Sequence, residues 1–300
     1  MAPVRESGRM TAKRLTTKEA KRMADPREAM YIRVARTIRT DIEAGRIRHG
    51  DVLPSTRELA AQWGVSVYTI NEAMKQLTAE GLVVSKSRSQ RAVHAPTQEV
   101  RGRKLRPHRP AVILIGGYAG SGKSELGRMI ARESGWPVLD KDTLTRPVVE
   151  AALEVMGASP HDRESETYIS AVRPREYEAL EEATQEQVEC GNSAVAAAPF
   201  LKEFRDQSWI DRMQATYTAL DTQLVWVWVR CDAESMHTYL RRRGAARDAA
   251  KLADWKTYLR GVDLDFRPPV EDYVLIDNSL HSPPLQKQAA QLVKDVMRHP

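Results

Sequence analysis

The chain has 300 residues, of which 42% are hydrophobic and 29% are charged, and it carries two cysteines, Cys190 and Cys231. This length suggests two domains with hydrophobic cores of their own. The cysteine usage indicates neither a disulfide framework nor a zinc site and favours a cytoplasmic protein. No apolar run approaches the ~18 residues that a membrane span needs, so no membrane partner is expected.

The positive charge is concentrated at the amino-terminal end. Residues 1–110 contain 23 Lys and Arg against 11 Asp and Glu, a balance of +12, whereas residues 111–300 contain 23 against 29, a balance of −6. This asymmetry suggests that one end of the chain meets a polyanion, although a solvated basic tail gives the same balance. Residues 1–29 have no apolar periodicity, and we predict a disordered basic arm there.

Residues 30–95 show the pattern of a helix-turn-helix. A first helix is predicted from apolar residues at helical spacing, namely Tyr31, Val34, Ala35, Ile38 and Ile42. Ser55 and Glu58 form a capping box that begins a short second helix, which should end at Gly64. Ser66 can then cap a third helix. Two helices separated by so short a turn predict a DNA-binding unit.

A hairpin is predicted directly after the third helix, from residues 82–85 and 92–94, and it would form a wing. The whole segment resembles the winged helix-turn-helix of the GntR family of bacterial transcription regulators, most clearly in LPSTRELA at 53–60 and in Gly64-Val65-Ser66. The resemblance implies that the helix capped by Ser66 lies in the major groove of double-stranded DNA and that a homodimer binds a palindromic site.

The outward face of the third helix and the wing are expected to contact DNA. Asn71 can pair with adenine, whereas Lys75 more readily meets a phosphate. The family usually has arginine at the positions of Val67 and Asn71, so its base preference cannot be carried over. A winged domain that binds protein is the alternative. The predicted DNA-binding residues are Arg57, Ser66, Tyr68, Thr69, Asn71, Lys75, Arg88 and Arg91.

A predicted linker at residues 96–110 is followed by a phosphate-binding loop. Residues 117–124 fit G-x-x-x-x-G-K-[ST], between an apolar strand pattern and a helical pattern. The glycines let backbone N–H groups approach phosphate oxygens. Lys123 would reach the β- and γ-phosphates, and the Ser124 hydroxyl would hold Mg²⁺. We therefore predict ATP and Mg²⁺ as cofactors, bound by Gly117, Gly120, Ser121, Gly122, Lys123 and Ser124.

The sequence Asp140-Lys141-Asp142 follows the second predicted strand of this domain. Small-molecule kinases of the P-loop class show a similar D-x-D. That resemblance assigns Asp140 to the metal and Asp142 to the substrate or to a general base. A pair of helix-capping acids is the alternative.

The basic stretch at residues 241–251 resembles the lid of nucleoside-monophosphate-type kinases. In that interpretation Arg243 and Arg247 are catalytic residues, with Lys123 and Asp142, and close over the triphosphate. The alternative is a basic helix face that forms salt bridges to Asp248 or Asp254. Three further arginines are candidates to meet an anionic or hydroxylated substrate, namely Arg163, Arg173 and Arg175. The alternative is that they are solvated surface residues.

Strand and helix patterns alternate from residue 111 to residue 300. The predicted fold is thus an α+β winged helix-turn-helix domain followed by an α/β three-layer P-loop NTPase domain, kinase-like, with a parallel sheet. The second domain resembles kinases of the zeta-toxin and chloramphenicol-phosphotransferase type. We expect a transcription regulator whose second domain binds ATP and phosphorylates or senses a small molecule. The alternatives are a small-molecule kinase tethered by its winged domain and an ATP sensor without phosphoryl transfer.

Overall fold

The computed structural model describes residues 26–87, 90–94 and 109–298. Residues 1–25 of the predicted arm, residues 88, 89 and 95 of the predicted winged domain, which include Arg88, and residues 96–108 of the predicted linker lie outside this part of the chain. The first helix begins at Pro26, within the stretch that the sequence assigned to the arm. Within the described residues, no helix combines the length and the apolar character that crossing a membrane requires.

The amino-terminal domain contains three helices and a two-stranded antiparallel hairpin, as predicted. Their bounds are α1 Pro26–Glu43, α2 Thr56–Trp63, α3 Val67–Ala79, β1 Val83–Ser85 and β2 Arg91–Val93. Both hydrogen bonds of the capping box between Ser55 and Glu58 are present, and Gly64 ends α2 in the left-handed conformation. The predicted apolar face of α1 is buried against α3, through Val34, Ala35, Ile38 and Ile42.

The second domain is built on five parallel strands in the order β4-β5-β3-β6-β7. The strands are β3 Ala111–Gly116, β4 Val138–Asp140, β5 Ala194–Ala197, β6 Gln223–Arg230 and β7 Tyr273–Asp277. β3, which leads into the phosphate loop, lies at the centre of the sheet and is buried along its whole length. The carboxyl ends of all five strands meet at one edge, where open parallel sheets bind ligands.

Helices cover both faces of this sheet and complete the predicted three layers. Phe204, Trp226 and Trp228 belong to the core on one face, and Leu126 and Leu292 belong to the core on the other. The helices are α4 Lys123–Ser134, α5 Lys141–Val155, α6 Arg173–Glu189, α7 Gln207–Ala219, α8 Ala233–Arg243, α9 Ala249–Ala253, α10 Trp255–Arg260 and α11 Leu285–Arg298.

The two domains contact each other through the polar face of α1. Arg36 Nη1 donates hydrogen bonds to the carbonyl oxygens of Leu280, at 2.7 Å, and Ser282, at 2.8 Å, in the loop after β7. Arg33 forms an ion pair with Glu234 of α8, at 2.6 Å. α1 therefore lies between the core of the winged domain and the β7 side of the P-loop domain.

Candidate functional site: a phosphate loop beside a winged domain

The loop between β3 and α4 has the backbone geometry of an anion cradle. Gly120 and Gly122 both have positive φ, and Gly122 directly precedes the first turn of α4. A Cβ atom on Gly117, whose φ is +149°, would lie 2.4 Å from the carbonyl oxygen of Val229. Only glycine fits there, because that contact is with backbone that cannot swing away. The free N–H groups of the first turn of α4 face the cavity in front of the loop.

The predicted metal pair is assembled at the start of α4. The Ser124 hydroxyl donates to Asp140 Oδ2 at 2.6 Å, which brings together the two groups predicted to hold Mg²⁺. The other oxygen of Asp140, Oδ1, accepts from the backbone N–H of Thr143 at 3.1 Å and caps α5. The helix-capping interpretation therefore holds for Asp140 Oδ1, whereas the metal-binding interpretation of Asp140 stays a prediction. Lys123 Nζ donates to the carbonyl oxygen of Tyr118 at 2.9 Å.

A buried lysine lies between the two aspartates of the D-x-D motif. Lys141 is 4% exposed, and its Nζ lies 2.7 Å from Glu176 Oε1 and 3.2 Å from Asp142 Oδ1. Glu176 also accepts hydrogen bonds from Tyr168 and Thr145. This network anchors the first turn of α5 and fixes the position of Asp142.

A cavity of about 700 Å³ opens in front of the loop, a volume in the usual range for small-ligand sites. Its lining includes most of the residues predicted for the nucleotide and its phosphates: Gly120, Gly122, Lys123, Ser124, Asp140, Asp142 and Arg243. Gly117 and Ser121 also belong to the loop but are not among the residues that line the cavity, and Ser121 is fully buried. The sequence interpretation gave no role to three arginines of the lining, namely Arg46, Arg128 and Arg146; a fourth, Arg242, belongs to the predicted lid stretch.

The lid arginines occupy different positions. Arg243 lines the cavity, while its Nε donates to Asp248 at 2.8 Å, the salt bridge that was the alternative prediction for this stretch. The side chain of Arg247 lies outside the described residues. Arg242 reaches the winged domain, where it forms an ion pair with Asp41 and lies over the ring of Trp63.

The three arginines predicted to meet an anionic substrate lie elsewhere. Arg173 pairs with Glu203, and Arg175 pairs with Glu178 at the surface. Arg163 donates to the carbonyl oxygens of Pro160 and Asp162. Of the described residues, the cavity lining includes Arg146, on the exposed side of α5, and does not include these three arginines.

α3, the helix that is predicted to contact DNA, exposes only part of the predicted set of DNA-binding residues. Tyr68 is 69% exposed, and Arg57 and Lys75 are also exposed. Thr69 is only 6% exposed, and its hydroxyl lies 2.9 Å from that of Ser66. The prediction that Thr69 faces outward is therefore wrong, because its side chain packs under the helix cap that Ser66 provides.

Arg91 of the hairpin connects both helices of the helix-turn-helix. It donates to Thr56 Oγ1 at 2.9 Å and to Asn71 Oδ1 at 3.4 Å. Lys75 pairs with Glu72 one turn earlier on α3. The candidate DNA surface is thus a preformed polar network around the exposed ring of Tyr68.

The two halves of the chain match different known proteins. Residues 30–93 match the family of bacterial regulatory proteins called the gntR family. The HTH-type transcriptional regulator GgaR of Escherichia coli K12 is 41% identical over 59 residues, which are 20% of this chain and 23% of GgaR. A shikimate kinase of Moorella thermoacetica is 32% identical over 97 residues, which are 32% of this chain and 54% of that kinase.

Among solved structures, a putative kinase from Chloroflexus aurantiacus is similar, with 18% identity and a TM-score of 0.44, over 62% of this chain and 97% of that one. The chain spans about a quarter of the length of the regulator and about half of the length of the shikimate kinase. Residues 112–264 match the AAA domain family, and this match covers just over half of the 300 residues. The chain therefore belongs to the AAA domain family, with a GntR-type helix-turn-helix domain in front of its P-loop domain.

Proposed function

We propose that this protein is a DNA-binding transcription regulator whose P-loop domain binds ATP with Mg²⁺ and transfers a phosphoryl group to a small hydroxylated molecule. The observation that carries the proposal is the contact between Ser124 and Asp140, at 2.6 Å, beside Lys123 and in the same cavity as Asp142. In this proposal the winged domain comprises residues 30–95, and the kinase-like domain comprises residues 111–300.

The described residues fit a magnesium nucleotide. A hydroxyl and a carboxylate are hard oxygen ligands, and Mg²⁺ commonly takes only one or two protein groups and keeps several waters. Bound Mg²⁺ would neutralise charge on the transferring phosphate. Two buried polar atoms at the cavity, Arg242 Nη1 and Asn278 Oδ1, have no hydrogen-bond partner among the described residues, as expected of groups that meet a polar ligand.

The roles of the side chains follow from their positions. Lys123, at the start of α4, would leave the Tyr118 carbonyl for the β- and γ-phosphates, together with the loop residues Gly117, Gly120, Ser121 and Gly122. Asp142 would accept the proton of the attacking hydroxyl, held in place by Lys141. Arg243 and Arg247 would complete the charge stabilisation, with Arg146 facing the acceptor. The D-x-D at 140–142 is the basis for placing the domain near the zeta-toxin and chloramphenicol-phosphotransferase kinases.

The DNA-binding half of the proposal is supported by the match of residues 30–93 and by the exposed amino-terminal end of α3. Tyr68 and Asn71 would contact DNA bases. The sugar-phosphate backbone of the DNA would be contacted by Arg57, Ser66, Lys75, Arg88 and Arg91. We propose a homodimer on a palindromic site and a cytoplasmic location, which follow from the regulator role.

Phosphoryl transfer is tested with two variants and a panel of sugars, polyols and nucleosides, with release of ADP as the measurement. Lys123→Ala should lose nucleotide binding. Asp142→Asn should keep nucleotide binding and lose turnover by about 10²- to 10⁴-fold, the usual contribution of a general base. Asp211→Asn, at an exposed carboxylate of α7, is the matched control. If Asp142→Asn keeps full turnover while Lys123→Ala is inactive, the catalytic role of Asp142 is wrong and the base lies elsewhere.

DNA binding is tested with a fragment of the promoter of the protein's own gene. The affinity should fall steeply as salt rises, because each neutralised phosphate releases counterions. Binding that is absent, or that does not change between low and high salt, would refute the regulator role.

A further inference from the structure

The winged domain contributes one wall of the cavity in front of the phosphate loop. Thr37, Thr40 and Asp41 of α1, followed by Arg46, line the same space as Lys123 and Ser124. Positions 37, 40 and 41 share one side of the helix, on which Thr40 lies opposite the face that packs into the core of the winged domain and Asp41 lies at the edge of that face. Thr37 and Asp41 are each less than a tenth exposed, because the second domain covers them. Such burial of polar side chains would not be expected if the winged domain stood alone.

The order of the strands shows which end of a nucleotide this wall would meet. β4, which carries Asp140, lies at one edge of the sheet, and β7 lies at the opposite edge, with the phosphate loop between them. In phosphoryl transfer the attacking and leaving oxygens lie roughly in line, on opposite sides of the transferred group. With the acceptor on the side of Asp142, the nucleoside must extend towards β6 and β7. Arg36 attaches α1 to that side, through the loop after β7.

The same side of the cavity holds the two unsatisfied polar atoms. Asn278, 3% exposed, follows β7; its Nδ2 donates to the Ser121 carbonyl, which leaves Oδ1 as a free acceptor at the cavity. Arg242 Nη1, in the last turn of α8, is a buried donor that likewise has no hydrogen-bond partner among the described residues. One donor and one acceptor, buried and fixed by neighbours, are typical of a site that recognises a polar heterocycle or sugar.

Asp41 pairs with two of the arginines that line the cavity. Its Oδ1 accepts from Arg46 Nη1 at 3.0 Å, and its Oδ2 pairs with Arg242. Arg46 in turn pairs with Glu125, in the first turn of α4. Burial lowers the pKa of both guanidinium groups, which are partly shielded from water between the two domains. This chain of ion pairs connects α1 directly to the helix that follows the phosphate loop.

We propose that α1 of the winged domain forms the nucleoside-binding wall of the nucleotide cavity, so that the sugar and base of a bound nucleotide touch Thr40 and Asp41 directly. The carboxylate of Asp41 and the hydroxyl of Thr40 suit the hydroxyls of a ribose, and the amide of Asn278 suits the edge of a base. The inference rests on the proposed nucleotide site, and it adds that the DNA-binding domain itself contacts the nucleotide.

The test compares an ATP analogue, which has both a nucleoside and phosphates, with inorganic tripolyphosphate, which has only the phosphates. Thr40→Trp places a large ring in the proposed nucleoside space, and Thr40→Leu places a smaller group there. Thr78→Trp makes the same substitution at an exposed position of α3, outside the cavity, and is the matched control. Binding of a fluorescent ATP analogue and of inorganic tripolyphosphate is measured for each variant, with folding checked by circular dichroism and thermal denaturation.

We expect Thr40→Trp to weaken binding of the ATP analogue by at least about tenfold, Thr40→Leu to weaken it by less, and Thr78→Trp to leave it unchanged. Tripolyphosphate should bind all three variants within about twofold of the parent chain, because its site is the loop. ATP affinity that is equal in the Thr40 variants and in Thr78→Trp would overturn the inference. Equal weakening of ATP and tripolyphosphate would also overturn it, since the wall would then lie at the phosphates. A parent chain that binds neither ligand would instead refute the proposed nucleotide site.

Discussion

The pairing of Asp41 with two arginines predicts that removing this one carboxylate loosens the contact between the domains. The side chains of Asp41, Arg242 and Arg46 are 10%, 26% and 35% exposed. Breaking a fully buried ion pair costs about 3–5 kcal/mol, whereas exposed pairs contribute about 0–1 kcal/mol. The three side chains lie between these limits, and Asp41→Asn keeps the shape of the group. We therefore expect a loss of about 2 kcal/mol in the free energy of unfolding.

Thermal denaturation measures this loss directly. For domains of 150–250 residues, about 2 kcal/mol corresponds to a fall in Tm of roughly 4–8 °C. Asp211→Asn should leave Tm unchanged, because that carboxylate is exposed on α7. A double-mutant cycle of Asp41→Asn and Arg242→Gln shows whether the loss comes from the pairing of these two side chains. We expect a coupling energy of about 1 kcal/mol or more. A coupling energy below about 0.3 kcal/mol would refute the reasoning, since independent sites add within that range.

Three further predictions concern other parts of the molecule. Burial raises the pKa of Glu43, which lies near Arg39, Glu80 and Arg36, from 4.5 to about 7. Between these two values the folded chain keeps a proton that the unfolded chain has lost, so the free energy of unfolding falls as pH rises. Glu43→Gln should reduce the difference in Tm between pH 5 and pH 8, and an unchanged difference would contradict this reasoning. Gly117→Ala should abolish nucleotide binding in calorimetry, whereas Gly157→Ala, where a Cβ meets nothing within 4 Å, should not. Tyr68→Ala should weaken DNA binding by about tenfold in fluorescence anisotropy, and an unchanged affinity would exclude Tyr68 from the interface.

Local signals in the sequence were enough for the elements of the winged domain and for the strand and helix on either side of the phosphate loop, but the helix at Gln207–Ala219 was not predicted. The capping box at Ser55 and the glycine at position 64 act through neighbouring residues only, so the bounds of α2 could be predicted from them. The apolar strand before the phosphate loop and the helix after it were equally local. For the same reason the contact between Ser124 and Asp140 was predictable, because it joins the ends of two adjacent elements of a P-loop fold.

The contact between the domains joins segments that are distant in sequence. Arg242 meets Asp41 only because α1 packs against the second domain, which no helical periodicity reveals. The charged residues of α1 at positions 33 and 36 lie on the face opposite its apolar stripe, and solvent-exposed residues give the same pattern. The error at Thr69 was avoidable, since the third residue after a capping serine lies against the cap.

The polar character of the joint between the domains gives it a distinct thermodynamic behaviour. Arg33 and Arg36 hold α1 through an ion pair and backbone carbonyls, and Ala44, with its single methyl group, is the winged-domain residue found in the described apolar core of the P-loop domain. Separating them should therefore change the heat capacity little, because that change follows the apolar area exposed. Salt, which screens charges, should weaken the joint more than temperature does. The docking of the winged domain thus becomes a property that ionic strength can adjust independently of the stability of either hydrophobic core.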